Sequence, residues 1–443
     1  MLYQSISGGF LLVPAIMTHS TIILGILLYF LHYFSFITFA KINSKLIKKG
    51  KAITMYDKLY STMKQSIDNG MSSGVNLLVQ KDGKEVIYCE YGYRDLDNKI
   101  PMARDTIFRI YSASKPVTSA AAMILVSRGQ LDLAADISTY LPEFKNPYVN
   151  MNDERIPAAR GIKVKDLLNM TSGLPYPDLS TPGGRQCAAV FDTINDRLYT
   201  DHPVSTQEFV RMMAENDLCF HPGSKFMYGV SADILGGIIE RVADMSLPEF
   251  MQKELFEPLE MQDTAFYVPQ EKAHRVAKVY GRPFGQIQEV KTNNLGIKYT
   301  LDVPPAFASG GAGLCSTIDD YSHFANMLLN NGEYAGRQIL PSKIVTNMTK
   351  GGMTDIQTAT FQNDWVDMCG YTYGNLLRVC LNESQTIVLT SKGEYGWNGW
   401  LGTYFSNEPA HNLTVLMGIQ SFEGDPESLA RKLKNIIMSE LTK

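Results

Sequence analysis

Residues 111–129 read YSASKPVTSAAAMILVSRG, and two features of that stretch decide the fold. From Ser114 onward it is an apolar, alanine-rich helix closed by Gly129, and a helix of that make-up belongs in a core. At its start Ser112 and Lys115 stand three residues apart, so they face the same way and hydroxyl and amine can meet. That pair is a nucleophile beside a candidate base. Backbone N–H groups at a helix start also face any oxyanion that forms on an attacked carbonyl.

The spacing alone is a weak signal, because Ser61-Thr62-Met63-Lys64 repeats it on a polar amphipathic helix, which reads as solvated surface. Context separates the copies. Ser112 lies between an apolar run at 108–111 and a buried helix, where a lysine is costly without a task or a partner. Gly70-Met71-Ser72-Ser73-Gly74 matches the GxSxG elbow literally, but that elbow needs strand, turn, helix. Here a helical pattern precedes and a strand pattern follows, so it reads as a connecting turn.

Working outward, helical spacing over 56–68 feeds a hairpin, with strands at 75–80 and 85–90 around Lys81-Asp82-Gly83-Lys84. Residues 131–300 read as helices at 164–170, 206–215, 231–243 and 247–255 among Pro/Gly/Asn-rich loops. Beyond them come a Gly-rich turn at 309–313 and a helix at 318–330. Strand-like segments follow at 376–380, 386–390, 403–407 and 413–419, then a helix at 427–441. The expectation is an α+β unit over 53–443, its sheet part at about 53–130 and 301–443 and its helical part at about 131–300.

Of 443 residues, 41 are Lys or Arg and 45 Asp or Glu, a net charge of -4, so the chain lacks the basic excess of a nucleic-acid binder. Residues 1–40 contain no charged side chain, and residues 21–40 (TIILGILLYFLHYFSFITFA) are long enough to span a bilayer as a hydrophobic helix. Lys41, Lys45, Lys48, Lys49 and Lys51 follow directly, which would hold the remainder on the cytoplasmic side, anchored to the membrane. The competing reading gives the 1–52 segment no folded role and makes Met55 a start. The six cysteines are dispersed with no CxxC pair, which fits a reducing compartment, and neither a metal motif nor a cofactor motif is present. Nothing in the sequence reads out an oligomeric state.

Four ordered segments carry a resemblance: YSASKPVTSAAAMILVSRGQLDLAADISTYLPEF, VKDLLNMTSGLP, PGSKFMYGVSADILGGIIERV and ASGGAGLCSTIDDYSHFANMLLNNGEYAGRQIL. Together they resemble the serine β-lactamase and penicillin-binding-protein superfamily, in its class C-like branch, and most of all the family VIII carboxylesterases. The resemblance implies an antiparallel sheet flanked by helices, a mainly helical second part, and an active site between them. It implies Ser112 as nucleophile, Lys115 as its partner lysine and Tyr228 as the tyrosine of the second motif. It also implies an oxyanion hole from the backbone N–H groups of Ser112 and Trp400. The phenol would act either as an anion favoured by Lys115 or as a relay for a proton that Lys115 takes.

The departures from that pattern point to the substrate. Where the lactamases and peptidases have Tyr-x-Asn, this chain has Tyr228-Gly229-Val230, whose last side chain cannot hold an amide. Where they have Lys-Thr/Ser-Gly, it has Trp397-Asn398-Gly399, similar to the Trp-Gly-Gly of the esterase branch. Lys392 is the alternative cation for that role. A site of Trp397, Asn398, Gly399 and Val230, without an amide clamp or a carboxylate anchor, favours neutral, short-acyl esters. The expected function is a cofactor-free serine carboxylesterase acting on a small-molecule ester. The alternatives are a β-lactamase, D-peptidase or transacylase on the same nucleophile, or a penicillin-binding sensor that is acylated without turnover. The Gly310-Gly311-Ala312-Gly313 run reads as a tight turn, and Asn169 to Leu174 as structural.

Overall fold

Strand β1 (Gly74–Lys81) is buried on both faces along most of its length, which places it in the middle of a covered sheet. It pairs antiparallel with β2 (Lys84–Asp95) through a hairpin whose turn residues Asp82 and Gly83 take positive φ. The edge strand β3 (Ile100–Pro101) continues on that side. The other strands come from the far end of the chain: β4 (Tyr371–Gly374), β5 (Leu377–Cys380), β6 (Tyr395–Asn398), β7 (Tyr404–Glu408) and β8 (Leu413–Ile419). The result is an eight-stranded sheet in the order β4-β5-β6-β7-β8-β1-β2-β3, antiparallel throughout. The computed structural model describes residues 53–151, 153–282 and 285–442.

Alternation along β1 and β8 splits the apolar residues between two cores. Val75, Leu77, Val79, Val415 and Met417 face helices α1 (Met55–Asp68) and, at the C-terminus, Pro426–Leu441. On the opposite face Leu78, Leu416 and Phe405 join the larger core around α2 (Ser114–Ser127), α3 (Ser231–Ala243) and α4 (Ile318–Leu329). The C-terminal helix is α5. Of the 14 residues of α2, those from Ser114 to Leu125 are all buried, so the stretch that opens the sequence reading runs through the centre of the molecule.

Two expectations change, and a third falls outside the described residues. Residues 386–390 form no strand; they cross the surface as coil, with Ile387 and Leu389 exposed. Pro182–Arg197 is a helix that loop-forming Pro182, Gly183 and Gly184 concealed: Thr181 caps it through Gly184 N, proline occupies the first turn, and Gly183 passes under the Asp217 carbonyl. The expected N-terminal hydrophobic helix lies outside the described residues, among which no helix is long and apolar enough to cross a membrane. Ser61 and Lys64 sit on α1, with Lys64 exposed and paired to Asp68 at 2.6 Å. Gly70 to Gly74 connects helix to strand, and the Ser72 hydroxyl is buried, donating to the Gln420 carbonyl.

Candidate active site

Phe108–Arg109 pairs with Cys315–Ser316, and the chain then turns sharply into α2. That turn, Tyr111–Ala113, is a single 3₁₀ turn in which residues three apart eclipse, and Tyr111 holds φ +41°, a strained value for a side-chain-bearing residue. Ser112 therefore precedes the helix rather than opening it, and its side chain is half-buried at the edge of a cleft of about 500 Å³. Lys115, in the first turn of α2, is 0% exposed. Its Nζ donates to the Gly311 carbonyl at 2.8 Å, the Tyr176 hydroxyl at 2.9 Å and Ser112 Oγ at 3.2 Å. The serine and lysine of the sequence reading thus meet.

The Gly-rich loop at 309–313 shapes the lysine's surroundings. A side chain at Gly311 would stand 2.7 Å from Asp233 Oδ2, and one at Gly310 2.6 Å from the Ala232 carbonyl, so glycine lets this loop lie against α3. Asp233 is buried on α3 and accepts from Ser309 Oγ at 2.5 Å and Gly311 N at 3.0 Å. Burial pushes its carboxyl above the usual carboxylate range, and the Lys115 charge opposes that shift. Sequence reasoning missed Asp233, which resembles any polar residue in a helical first turn.

Two tyrosines face Lys115, where the sequence reading named one. Tyr228 presents its ring, 4.6 Å from Lys115 Nζ to the centroid, and its hydroxyl accepts from Trp397 Nε1 at 3.0 Å. Tyr176 supplies the hydroxyl that Lys115 actually bonds. Burial holds the Tyr176 phenol well above its ordinary pKa, reinforced by the Asp233 carboxylate and the nearby Tyr228 and Tyr373 phenols, so it stays protonated. Gly229 brings the two together: a Cβ there would lie 2.0 Å from the Leu174 carbonyl, and the Tyr176 and Tyr228 rings sit 5.6 Å apart, edge to face. The segment from Asn169 to Leu174 underpins this contact, with Ser172 Oγ 2.8 Å from Ser231 Oγ.

Strand β6 forms the facing wall. Trp397 is 4% exposed and packs against Tyr228, Trp365 and Tyr373. Asn398, Gly399 and Trp400 line the cleft beside Ser112 and Tyr228. Gly399 runs against the nucleophile's own turn, a Cβ there falling 2.3 Å from the Ile110 carbonyl, and Trp400 meets Tyr111 edge to face at 5.1 Å. Neither the Ser112 nor the Trp400 amide has an acceptor among the described residues. Val230 is 0% exposed and absent from the cleft wall, so it does not line the site as the sequence reading expected. Lys392 also lies off the wall, in an exposed turn where its amide donates to Glu383. Asp364, Val366, Asp367, Met368 and Glu427 complete the lining, which contains no Lys or Arg among the described residues.

Comparison with known proteins agrees with this architecture. The Beta-lactamase family model matches residues 61–436. Protein Rv1367c of Mycobacterium tuberculosis is 32% identical over 375 residues, covering 81% of this chain and 88% of its own. A putative D-alanyl-D-alanine carboxypeptidase of Salmonella agona is 26% identical over 389 residues, 81% of each chain. Among solved structures, EstCE1, a hydrolase with promiscuous acyltransferase activity, superposes with TM-score 0.72 at 24% identity over 86% of this chain and 98% of its own. Unliganded simvastatin synthase from Aspergillus terreus gives 0.70 at 18%, over 88% and 100%. At those identities the two structures establish the fold alone. The family match across nearly all of the described chain, together with the 32% relative, shows that the chain belongs to the beta-lactamase family.

Proposed function

We propose that the chain is a serine carboxylesterase that hydrolyses neutral esters through an acyl-enzyme on Ser112. The observation that carries this reading is the make-up of the cleft. A nucleophile 3.2 Å from a buried lysine opens onto aromatic and acidic side chains, with Trp397 where a carboxylate-binding cation would stand and Val230 withdrawn into the core. β-Lactams and D-alanyl peptides carry a carboxylate, and the wall offers it no cation but the acidic residues Asp364, Asp367 and Glu427; Asp367 pairs with Arg431 at 3.0 Å, and burial raises the Asp364 and Glu427 carboxyls against the pull of Lys225 and Arg431. EstCE1, named as a hydrolase, lends support.

In this mechanism Ser112 Oγ bonds to the ester carbonyl carbon and its proton passes to the Lys115 amine. The carbonyl oxygen becomes an oxyanion facing the Ser112 and Trp400 amides. The carbon–alkoxy bond then breaks, and the alcohol leaves with a proton from Tyr228, whose oxygen is held by Trp397 and which takes back the proton that Lys115 received, returning the lysine to the amine. Water enters and resolves the acyl group along the same route. An alcohol entering instead gives acyl transfer. The uncharged residues 21–40 and the lysines after them support anchoring with the catalytic part on the cytoplasmic side, which protease protection of sealed membrane vesicles would check.

The test compares full-length wild type with Ser112→Ala on a short p-nitrophenyl ester, a chromogenic cephalosporin and a D-alanyl-D-alanine peptide. Ester turnover that vanishes in Ser112→Ala is the expected result. The Salmonella relative's name favours a D-peptidase as second reading, and fast peptide turnover without ester turnover would select it. A single stoichiometric burst on every compound would make the protein an acylated sensor.

A further inference from the structure

Asn398 ends β6 inside the cleft, and its oxygen is already taken. Arg378, on β5, donates from Nη1 to Asn398 Oδ1 at 3.0 Å. A guanidinium only donates, so the carboxamide must turn its oxygen toward Arg378 and its NH₂ away. No described residue accepts from that NH₂, and Asn398 lines the same wall as Ser112.

The support behind this orientation is unusually costly. Arg378 is 3% exposed, and its Nη2 donates to Glu394 Oε1 at 2.8 Å and the Phe405 carbonyl at 3.1 Å. Glu394 is 1% exposed, and its Oε1 also accepts from Ser406 Oγ at 2.6 Å. Burying each ion carries a desolvation penalty, and backbone pairing of β5 with β6, and of β6 with β7, would hold the strands without them. Gly396 lets β6 lie against the Phe405 carbonyl that Arg378 also bonds: a Cβ there would stand 1.9 Å from that oxygen and 3.1 Å from Arg378 Nη2. Among the described residues, the bond this assembly sends toward the cleft ends on Asn398.

We propose that Asn398 is a substrate-recognition donor, its NH₂ held toward the cleft by Arg378 and bonding a second neutral oxygen of the substrate, beyond the scissile carbonyl. Arg378 is then a positioning residue. The inference rests on the esterase reading and narrows it to esters that carry an additional ether or carbonyl acceptor. It assigns to the third motif a role that the second motif has lost, since Val230 is buried and has no polar group.

The experiment pairs esters that differ by little more than the acceptor: p-nitrophenyl methoxyacetate against butyrate, and p-nitrophenyl levulinate against 4-methylpentanoate. Each enzymatic kcat/KM is divided by the same ester's hydroxide-catalysed rate to remove intrinsic reactivity. Full-length wild type should prefer the acceptor member of at least one pair by about five- to tenfold, the worth of one neutral hydrogen bond. In Asn398→Leu that ratio should fall to near one, whatever the absolute rates become. Arg378→Met should lower the same ratio and add nothing to it in the Asn398→Leu background, a coupling that general loosening of the sheet would not give. If Arg378→Met does not fold, Arg378→Met/Glu394→Gln, which removes the orphaned charge, replaces it. Turnover of all four esters without a preference, or a preference that survives in Asn398→Leu, overturns the proposal and leaves the esterase reading intact. No turnover of any ester overturns both.

Discussion

Lys115 bonds one phenol and lies over the ring of another, and their two roles can be separated. Tyr176 is a fully buried, protonated partner of the lysine, so Tyr176→Phe leaves an amine one acceptor short in the core and should cost about 1–3 kcal/mol of stability. Tyr228 lines the cleft with its oxygen held by Trp397, so Tyr228→Phe should lower kcat by about a hundredfold or more, a loss well beyond the roughly 1 kcal/mol of stability that leaving Trp397 Nε1 without its acceptor costs. Urea titration and ester kinetics on both variants decide it, and a larger kcat loss in Tyr176→Phe would route the proton through Tyr176. The sequence made Ser112 and Lys115 legible because their spacing is itself the geometry. It could not announce Tyr176, 61 residues from Lys115, because its contact depends on Gly229 admitting the Leu174 carbonyl, a fact of packing with no local pattern.

At the level of elements, the helices were the readable part: α3, α4 and α5 follow apolar periodicity almost to their ends, and α2 shows itself as an unbroken Ala-rich apolar run closed by Gly129. Strand β6 was not readable, since Tyr-Gly-Trp-Asn has no alternation of its own and becomes a strand only by pairing with β5 and β7. Yet β6 positions the wall of the site. Its continuation at Gly399 presses on the Ile110 carbonyl, backbone against backbone, so Gly399→Ala must push the strand end away from the Ser112 turn. Separating the Ser112 and Trp400 amides should lower kcat by about a hundredfold or more, with roughly 1–3 kcal/mol lost to overpacking. Gly129→Ala is the control. With φ +70° and nothing within 4 Å of its Cβ, it should cost about 1–2 kcal/mol of stability and leave kcat alone. Equal kcat in wild type and Gly399→Ala would remove the proposed oxyanion geometry.

Across the molecule, the first and last described helices are joined by charge as well as by apolar packing. Helix α5 covers the sheet face beside α1, where Lys58 meets Glu440 at 2.5 Å, and it drives Lys434 into the interior. Lys434 Nζ lies 2.8 Å from Glu408 Oε1 and donates to Ser406 Oγ at 2.6 Å, the serine that in turn bonds Glu394 behind the active-site wall. Burial pulls the Lys434 ammonium down, but Tyr404, Glu408 and Glu394 outweigh it and hold its pKa above the ordinary lysine value. A pKa raised by folding means that the charged lysine stabilises the fold in full below its unfolded value of about 10.4, and the contribution fades as pH rises through the folded pKa. Lys434→Met, which leaves Glu408 buried and unpaired, should therefore cost about 3–5 kcal/mol. That deficit should stay constant across neutral pH and shrink only in strong alkali. Lys434→Met/Glu408→Gln removes both charges while keeping an acceptor for Thr390 and Ser391, and should recover most of the loss. Urea midpoints from about pH 6 to 9 measure both variants. A double variant no more stable than Lys434→Met would mean that α5 is held by its apolar face alone, and that the buried ions are not what ties the end of the chain to the wall of the cleft.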